Sequence, residues 1–319
     1  MRAFELTAPT TVDDALASSG TYLAGGTTLV DLMKLDVLTP RHVLDINGLP
    51  LRGIDTADGL RIGALERLAD IAAHPGVYPA ISRALQLSAS QQLRTMASIG
   101  GNLMQRTRCT YFRDVAMPCN RREPGTGCPA IPGAHRMHAI LGTSDACVAT
   151  HPSDVAVALV ALDAEIRLAG PDGERTVELA RFYRTPGDTP HVEHDLRAGE
   201  LITEVRVPRL DWAANSTYVK VRDRQSYEFA LCSAAVAVDV RDGIVADARV
   251  AAGGVATVPW RLRAVEAALR GKPATEDSFA EAASRAVDGA SPLPQNGFKL
   301  SLLPRTIVRA LLEVTEGSR

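Results

Sequence analysis

The apolar positions along the chain switch between helical spacing and strand alternation. Residues 10–18 carry a Thr-x-x-acid start, Thr10 with Asp13 or Thr11 with Asp14, ahead of an Ala/Leu face, which predicts a first helix. TYLAGG (21–26) is a short apolar run ending in two glycines, so a strand entering a tight turn. TTLVDLMKL follows with helical spacing through Leu29, Leu32 and Met33. HVLDI (42–46) and LRIGAL (60–65) read as strands, the second alternating through Leu60, Ile62 and Ala64. RLADIAAH and ISRALQLSAS read as helices, and SIGGNLM (98–104) as a strand or turn with paired glycines. PSDVAVALVALDA (152–164) predicts a helix, with Pro152 near its start and Ser153 or Asp154 free to cap it. EIRLAG and ERTVEL flank Pro171, Asp172 and Gly173, the signature of a hairpin.

A polar stretch at 181–200, with prolines and glycines, predicts a linker or crossover. Four strands are expected beyond it, at 200–208, 216–224, 229–240 and 244–255, the last two joined by Asp242-Gly243. Three helices close the chain. The first has Pro259 at its start and Gly271 at its end, and the last contains Pro304, a helix-kinking residue. The pattern gives an α+β chain. An N-terminal α+β domain of about 175–180 residues precedes an antiparallel three- or four-stranded sheet with helices packed on it. No internal repeat or low-complexity segment is present.

At 319 residues the chain is long enough for about two domains and needs no disulfides to fold. A net charge of −2 removes the electrostatic case for nucleic acid or a membrane surface as partner. Aromatic residues are only 4%, too few for base-stacking platforms. No apolar run reaches the length of a membrane span, and MRAFELTAPTTVDD has no apolar segment of a secretory signal. Lysine occurs only at 34, 220, 272 and 299, so each one is easier to weigh singly.

Cys232 lies in an apolar strand-like run and is expected to be a buried, inert thiol. Cys109, Cys119, Cys128 and Cys147 instead fall in a Gly-, Pro- and Arg-rich segment with little apolar periodicity. So long a loop inside a compact domain calls for a function or an internal staple. Two disulfides, a structural zinc or an iron–sulfur cluster would each supply one. The gaps between the cysteines do not match the paired knuckles that zinc favours. Arginines at 106, 108, 113, 121, 122 and 136 suit an anionic thiolate-ligated cluster; otherwise they form a solvated loop face.

LAGGTTLVDLM places two glycines and two threonines between a strand and a helix start. Glycines there let a group approach the backbone, and successive amides can cradle an anion. No Gly-Lys-Ser/Thr follows, so it is not a Walker A loop. The one match to G-x-G-x-x-[GA], at 125–130, lacks a preceding strand. His151 and Asp154 sit at a helix start, where Asp154 can cap or accept from a ligand. The pairs His135/His138 and His191/His194 read better as solvated histidines than as metal ligands.

Together these pieces resemble the FAD-binding middle subunit of the xanthine dehydrogenase/aldehyde oxidase group of molybdenum hydroxylases. LAGGTTLVDLM is similar to that family's first flavin motif and QLRTMASIGGNL (92–103) to its second. HPSDVAVALVALDAEI, GELITEVRVP, YVKVRDRQSYEFALCSAAVAV and VAAGGVATVPWR extend the likeness nearly end to end. The cysteine loop is similar to an insertion in the flavin subunit of bacterial periplasmic-type aldehyde oxidoreductases, which holds a [4Fe–4S] cluster.

The resemblance implies a two-subdomain FAD-binding fold of the vanillyl-alcohol-oxidase (PCMH) type over 1–180, with an iron–sulfur loop at 105–147. It also implies the family's C-terminal α+β domain, with antiparallel sheet and three helices, over 200–319. It implies that Thr21, Tyr22, Leu23, Ala24, Gly25, Gly26, Thr27, Thr28 and Leu29 wrap the FAD pyrophosphate. Ser98, Gly101 and Asn102 would hold the next stretch of FAD, and Asp154 the flavin or its ribityl chain. Ile202 would pack near the isoalloxazine, Lys220 would sit at its polar edge, and Cys109, Cys119, Cys128 and Cys147 would ligate the cluster. Ser98 stands where the family commonly has threonine, a change that keeps the hydroxyl. The implied role is electron transfer. Aldehyde becomes carboxylate at a molybdenum cofactor on a large partner, two [2Fe–2S] clusters on a small partner feed FAD, and FAD reduces an external acceptor. A related hydroxylase acting on an aromatic acyl thioester or a heterocycle would have the same flavin subunit. So would, without partners, a stand-alone flavin or metal module. A signal on the small partner could carry the complex to the periplasm; otherwise it is cytoplasmic.

Overall fold

A computed structural model describes residues 1–316. Strand β1 (Glu5–Thr7) leads to helix α1 (Val12–Ala17), whose cap is Thr11: its hydroxyl accepts the Asp14 amide at 3.1 Å. Strand β2 (Thr21–Leu23) enters the Gly25-Gly26 turn, helix α2 (Leu29–Lys34) follows, and β3 (His42–Asp45) returns. β3 lies between β1 and β2, parallel to both.

Next come β4 (Ile54–Asp55), β5 (Leu60–Gly63), α3 (Leu68–Ala73), α4 (Pro79–Leu87) and α5 (Gln91–Met96). Residues 98–104, expected as strand or turn, instead form helix α6 (Ile99–Leu103). Ser98 caps it, accepting the Gly101 amide at 3.2 Å, and the Gly100 amide donates to Ala64 O at 2.8 Å. Five residues are too few for a helical period to register in sequence. A short helix α7 (Thr110–Arg113) lies in the cysteine segment, and α8 (Asp154–Ala161) follows it. Then come β6 (Glu165–Gly170), β7 (Gly173–Glu178), α9 (Leu179–Phe182) and β8 (Leu201–Val207). β4, β5, β8, β6 and β7, in that order, form one antiparallel sheet. The sequence reading groups β8 with the C-terminal unit. In the structure it pairs with β5 and β6, Leu60 against Val207 and Ile166 against Val205, which buries its apolar residues.

The C-terminal sheet has the order β12 (Trp260–Arg261), β11 (Ile244–Gly253), β10 (Cys232–Arg241), β9 (Ser216–Val221). Asp242 and Gly243 both take positive φ at the β10–β11 turn, the geometry an Asp-Gly hairpin uses. Helices α10 (Arg263–Leu269), α11 (Glu276–Ala283) and α12 (Lys299–Glu316) close the chain. Pro304 removes one amide from α12, yet the helical assignment continues through it to residue 316.

Strand alternation makes β10 two-sided. Ala235 and Ala237 face a core shared with Val157 and Leu159 of α8 and Ile166, Leu168 and Val205 of the five-stranded sheet. Ala234, Val236 and Val238 face a second core with Leu303, Ile307 and Leu311 of α12. Helix α8 is buried all round, so it is the shared wall that fixes the two sheets relative to each other. Burying each of the Val, Leu and Ile side chains stabilises the fold by roughly 1.5–3 kcal/mol, each alanine by less. Among the described residues no helix is long and apolar enough to cross a membrane.

Candidate functional site

A cleft of about 320 Å³ opens between the parallel sheet and α6. Its walls include Thr21, Tyr22, Ala24, Gly25, Gly26, Thr27, Thr28, Leu29, Ser98, Gly101 and Ile202. Two glycines explain why the loop after β2 can sit here. A Cβ on Gly25 would lie 2.0 Å from Met96 O, so only glycine lets this loop press against the end of α5. Gly26 takes φ +71°. Asn47 Nδ2 donates to Ala24 O at 2.8 Å, and Arg67 Nη2 donates to Asn47 Oδ1 at 2.8 Å, holding the loop from below. Leu23 is absent from the cleft wall and packs beneath Gly26.

Asn102, Asp154 and Lys220 stand outside this cleft. Asn102 Oδ1 accepts from Ser153 Oγ at 2.6 Å, which ties α6 to the start of α8. Asp154 lines a neighbouring hollow, also about 320 Å³. Its carboxylate accepts from Tyr218 Oη at 2.7 Å and from Lys220 Nζ at 2.8 Å. Lys220 Nζ also donates to Leu87 O at 3.1 Å, and its side chain is 1% exposed. The structure therefore places Lys220 in a buried ion pair rather than on the cleft wall. Burial, with the Asp154 charge adding to it, holds the Tyr218 phenol well above its ordinary pKa, so it serves as a donor. Lys220→Met leaves the Asp154 carboxylate buried without a cation. It is expected to cost about 3–5 kcal/mol in chemical denaturation. Adding Asp154→Asn should recover part of that loss; a Lys220→Met protein as stable as the parent contradicts this reading of the pair.

The cysteine segment folds around its own small hollow. Cys109, Cys119, Cys128 and Cys147 all line it, with Asn120, Arg121 and His138. All five cysteines are free thiols in the structure, with no disulfide between them. Among the described residues no three His, Cys, Asp or Glu side chains are grouped closely enough to hold one metal ion. Burial pushes the Cys109 thiol up to about 11 and raises Cys128. Cys232 is fully buried in β10 and pushed up to about 12, the inert thiol expected of it.

Short polar links shape the loop. Cys119 N donates to Thr126 Oγ1 at 2.9 Å, and Asn120 bonds Gly127 twice. The arginines are latches more than a solvated face. Arg108 and Arg113 grip Asp31 of α2, each at 2.8 Å, and Arg122 bonds the carbonyls of Tyr111, Phe112 and Met117. The helix after the glycine pair is thus tied directly to the cysteine segment. Lys299, wholly buried at the start of α12, donates to the carbonyls of Met137, His138 and Gly254. Burial brings its pKa down to about 8.

His135 and His138, expected in solvent, are buried. His135 Nε2 accepts the Gln295 amide at 3.0 Å, and His138 Nε2 lies 3.2 Å from Cys109 Sγ. His194 stacks on Phe182, while His191 is exposed. His151 Nε2 is shut off from solvent and has no partner. Burial, reinforced by Arg121, lowers the His151 pKa from 6.5 to about 3. A depressed pKa means the folded state binds fewer protons than the unfolded one below pH 6.5. This contribution is therefore complete above about pH 6.5 and is lost as pH falls toward 3. Denaturation measured across that window should show a shallower loss in His151→Gln than in the parent; equal slopes contradict the assignment.

Residues 2–210 match the FAD binding domain in molybdopterin dehydrogenase, and residues 217–314 match the CO dehydrogenase flavoprotein C-terminal domain. The chain belongs to the FAD-binding medium subunits of the molybdenum hydroxylases. It is 49% identical to the aldehyde oxidoreductase FAD-binding subunit PaoB of Escherichia coli K12, over 92% of this chain and 90% of that one. It is 30% identical to the glyceraldehyde dehydrogenase medium chain of Sulfolobus acidocaldarius, over 91% and 86% of the two chains. It superposes on a chain of the Hydrogenophaga pseudoflava carbon monoxide dehydrogenase lacking the Mo-pyranopterin moiety. That TM-score is 0.74 at 27% identity, covering 99% of this chain and 98% of the other. The molybdenum-hydroxylase flavin subunit described here is thus an oxidoreductase component with the two-domain FAD-binding fold of its family.

Sequence reasoning about this flavin subunit missed Glu193 and Tyr218, and placed His151 at a helix start without its burial. Glu193 lies in the stretch read as a linker, and its carboxylate bonds both Arg106 and Arg121. Tyr218 carried a usable signal: it stands two residues before Lys220 in a strand, so both side chains share one face.

Proposed function

We propose that this chain is the FAD- and [4Fe–4S]-binding electron-transfer subunit of a molybdenum-dependent aldehyde oxidoreductase. The aldehyde assignment is supported by the likeness to PaoB, at nearly half identity over almost the whole chain. In this reading the substrate meets molybdenum on a large partner subunit, and a small partner with two [2Fe–2S] clusters passes electrons to this chain. An external acceptor takes them off. No residue of this chain touches the aldehyde.

The single observation that carries the site reading is the packing of the glycine turn at 25–26 against the 96–101 segment, which leaves a cleft lined by Gly25, Gly26, Gly100 and Gly101. FAD, when bound there, supplies the exchange between two-electron and one-electron carriers. Residues 24–28 would offer main-chain amides and the Thr27 and Thr28 hydroxyls to its pyrophosphate. Ser98 and Gly101 would hold the adjoining stretch, with Asn102 tying α6 to Ser153 outside the cleft, and Ile202 would pack against a ring. Asp154, steadied by Tyr218 and Lys220, would orient a ligand hydroxyl from the second hollow.

The cluster reading is supported by the donor set: four unbonded thiols line one hollow. Cys109, Cys119, Cys128 and Cys147 would hold the cluster, losing their protons on binding. Arg121 offsets the resulting negative charge. The test is purification of the intact complex with its large and small partners. Flavin bands over a broad brown absorbance, together with aldehyde-dependent reduction of an acceptor dye, are expected. A lone colourless monomer, or a complex active on heterocycles and inert to aldehydes, would overturn the respective part.

A further inference from the structure

Arg121 is the one side chain that touches both the thiol hollow and an acidic residue outside it. It is 7% exposed and lines the hollow together with Cys147. Its Nη1 donates to Glu193 Oε2 at 2.7 Å, and its Nε has no partner. Glu193 is shared. Its other oxygen accepts from Arg106 Nε at 2.5 Å, and Arg106 lines the dinucleotide cleft. Arg106 also donates to Arg121 O at 3.3 Å, so the two arginines are locked around one carboxylate.

We propose that Arg121 is the positioning residue that sets the redox poise of the thiol-bound cluster, with Glu193 limiting how much of its positive charge the cluster feels. This rests on the cluster reading above. The physical reason is simple. One-electron reduction adds negative charge to the thiolate-bound core, and a buried cation beside the ligand sulfurs favours the reduced form. Low solvent exposure keeps that field strong. Glu193, which does not line the hollow, pairs with the guanidinium and opposes its field. Removing Arg121 and removing Glu193 must then shift the cluster in opposite directions, which simple damage to the loop would not do.

The experiment is an EPR-monitored redox titration of the cluster in the intact complex, with iron and flavin counted for every variant. In Arg121→Gln the ratio of oxidised to reduced cluster at fixed ambient potential should rise about tenfold, about 59 mV for one electron. Glu193→Gln should move it the other way, and Arg121→Lys should stay near the parent. If iron is retained and no variant shifts, this proposal fails while the cluster reading stands. If both glutamine variants shift in the same direction, the proposal also fails. If Arg121→Gln cannot hold iron, Glu193→Gln decides: an unmoved cluster overturns the proposal. If the parent complex has no iron beyond that of the small partner, the cluster reading falls and takes the proposal with it.

Discussion

Cys119→Ser is expected to strip the iron proposed for this chain while the flavin bands stay. Cys119 is buried against Leu32 and Phe112, and its amide is fixed by Thr126, so the loop keeps its course when the sulfur is exchanged for oxygen. The change falls on the donor set. A hydroxyl is a poor ligand where a soft thiolate is needed, and three remaining thiols leave one corner of the cluster open. Retained iron should fall at least about tenfold, because loss of even a ligand's supporting partner costs 10–100-fold in metal affinity. The flavin survives because no residue between 107 and 193 lines the cleft. Iron analysis and the visible spectrum check both halves. Unchanged brown absorbance contradicts the role given to Cys119.

Gly25→Ala does the reverse, releasing flavin while the iron stays. The new Cβ would lie 2.0 Å from Met96 O, 2.7 Å from Met96 C and 2.9 Å from Ala97 Cα. All three are backbone atoms and cannot swing aside, so the loop must lift from the end of α5. Overpacking of this kind costs about 1–3 kcal/mol. The displaced segment is the one assigned to the pyrophosphate, so FAD binding should weaken about tenfold or more. Gly48→Ala is the matched control, since a Cβ there meets nothing within 4 Å. Flavin per chain and melting temperature are the readouts. A Gly25→Ala protein that keeps full flavin contradicts the assignment of this turn.

The secondary structure most legible in sequence was the kind fixed by local pattern. The β10–β11 hairpin announced itself through alternation and Asp-Gly, and α8 through an apolar run behind Ser153. Helix α6 escaped because its identity depends on a cap and on the Ala64 carbonyl. The partners of β8 escaped because a strand's alternation says which face is buried and nothing about which neighbours bury it. The same divide runs through the site. The glycine turn and the thiol quartet were visible as motifs. The pairing of Lys220 with Asp154 and the grip of Glu193 on two arginines bring together residues 66 to 87 positions apart, and no window of sequence contains them.

The central proposal is that one chain carries a dinucleotide in the cleft beside the glycine turn and an inorganic core on four sulfurs. Iron counted per FAD in the intact complex tests both at once. About eight irons per FAD are expected, half from the paired [2Fe–2S] clusters of the small partner and half from this chain. About four irons per FAD, or a complex without flavin, would contradict it.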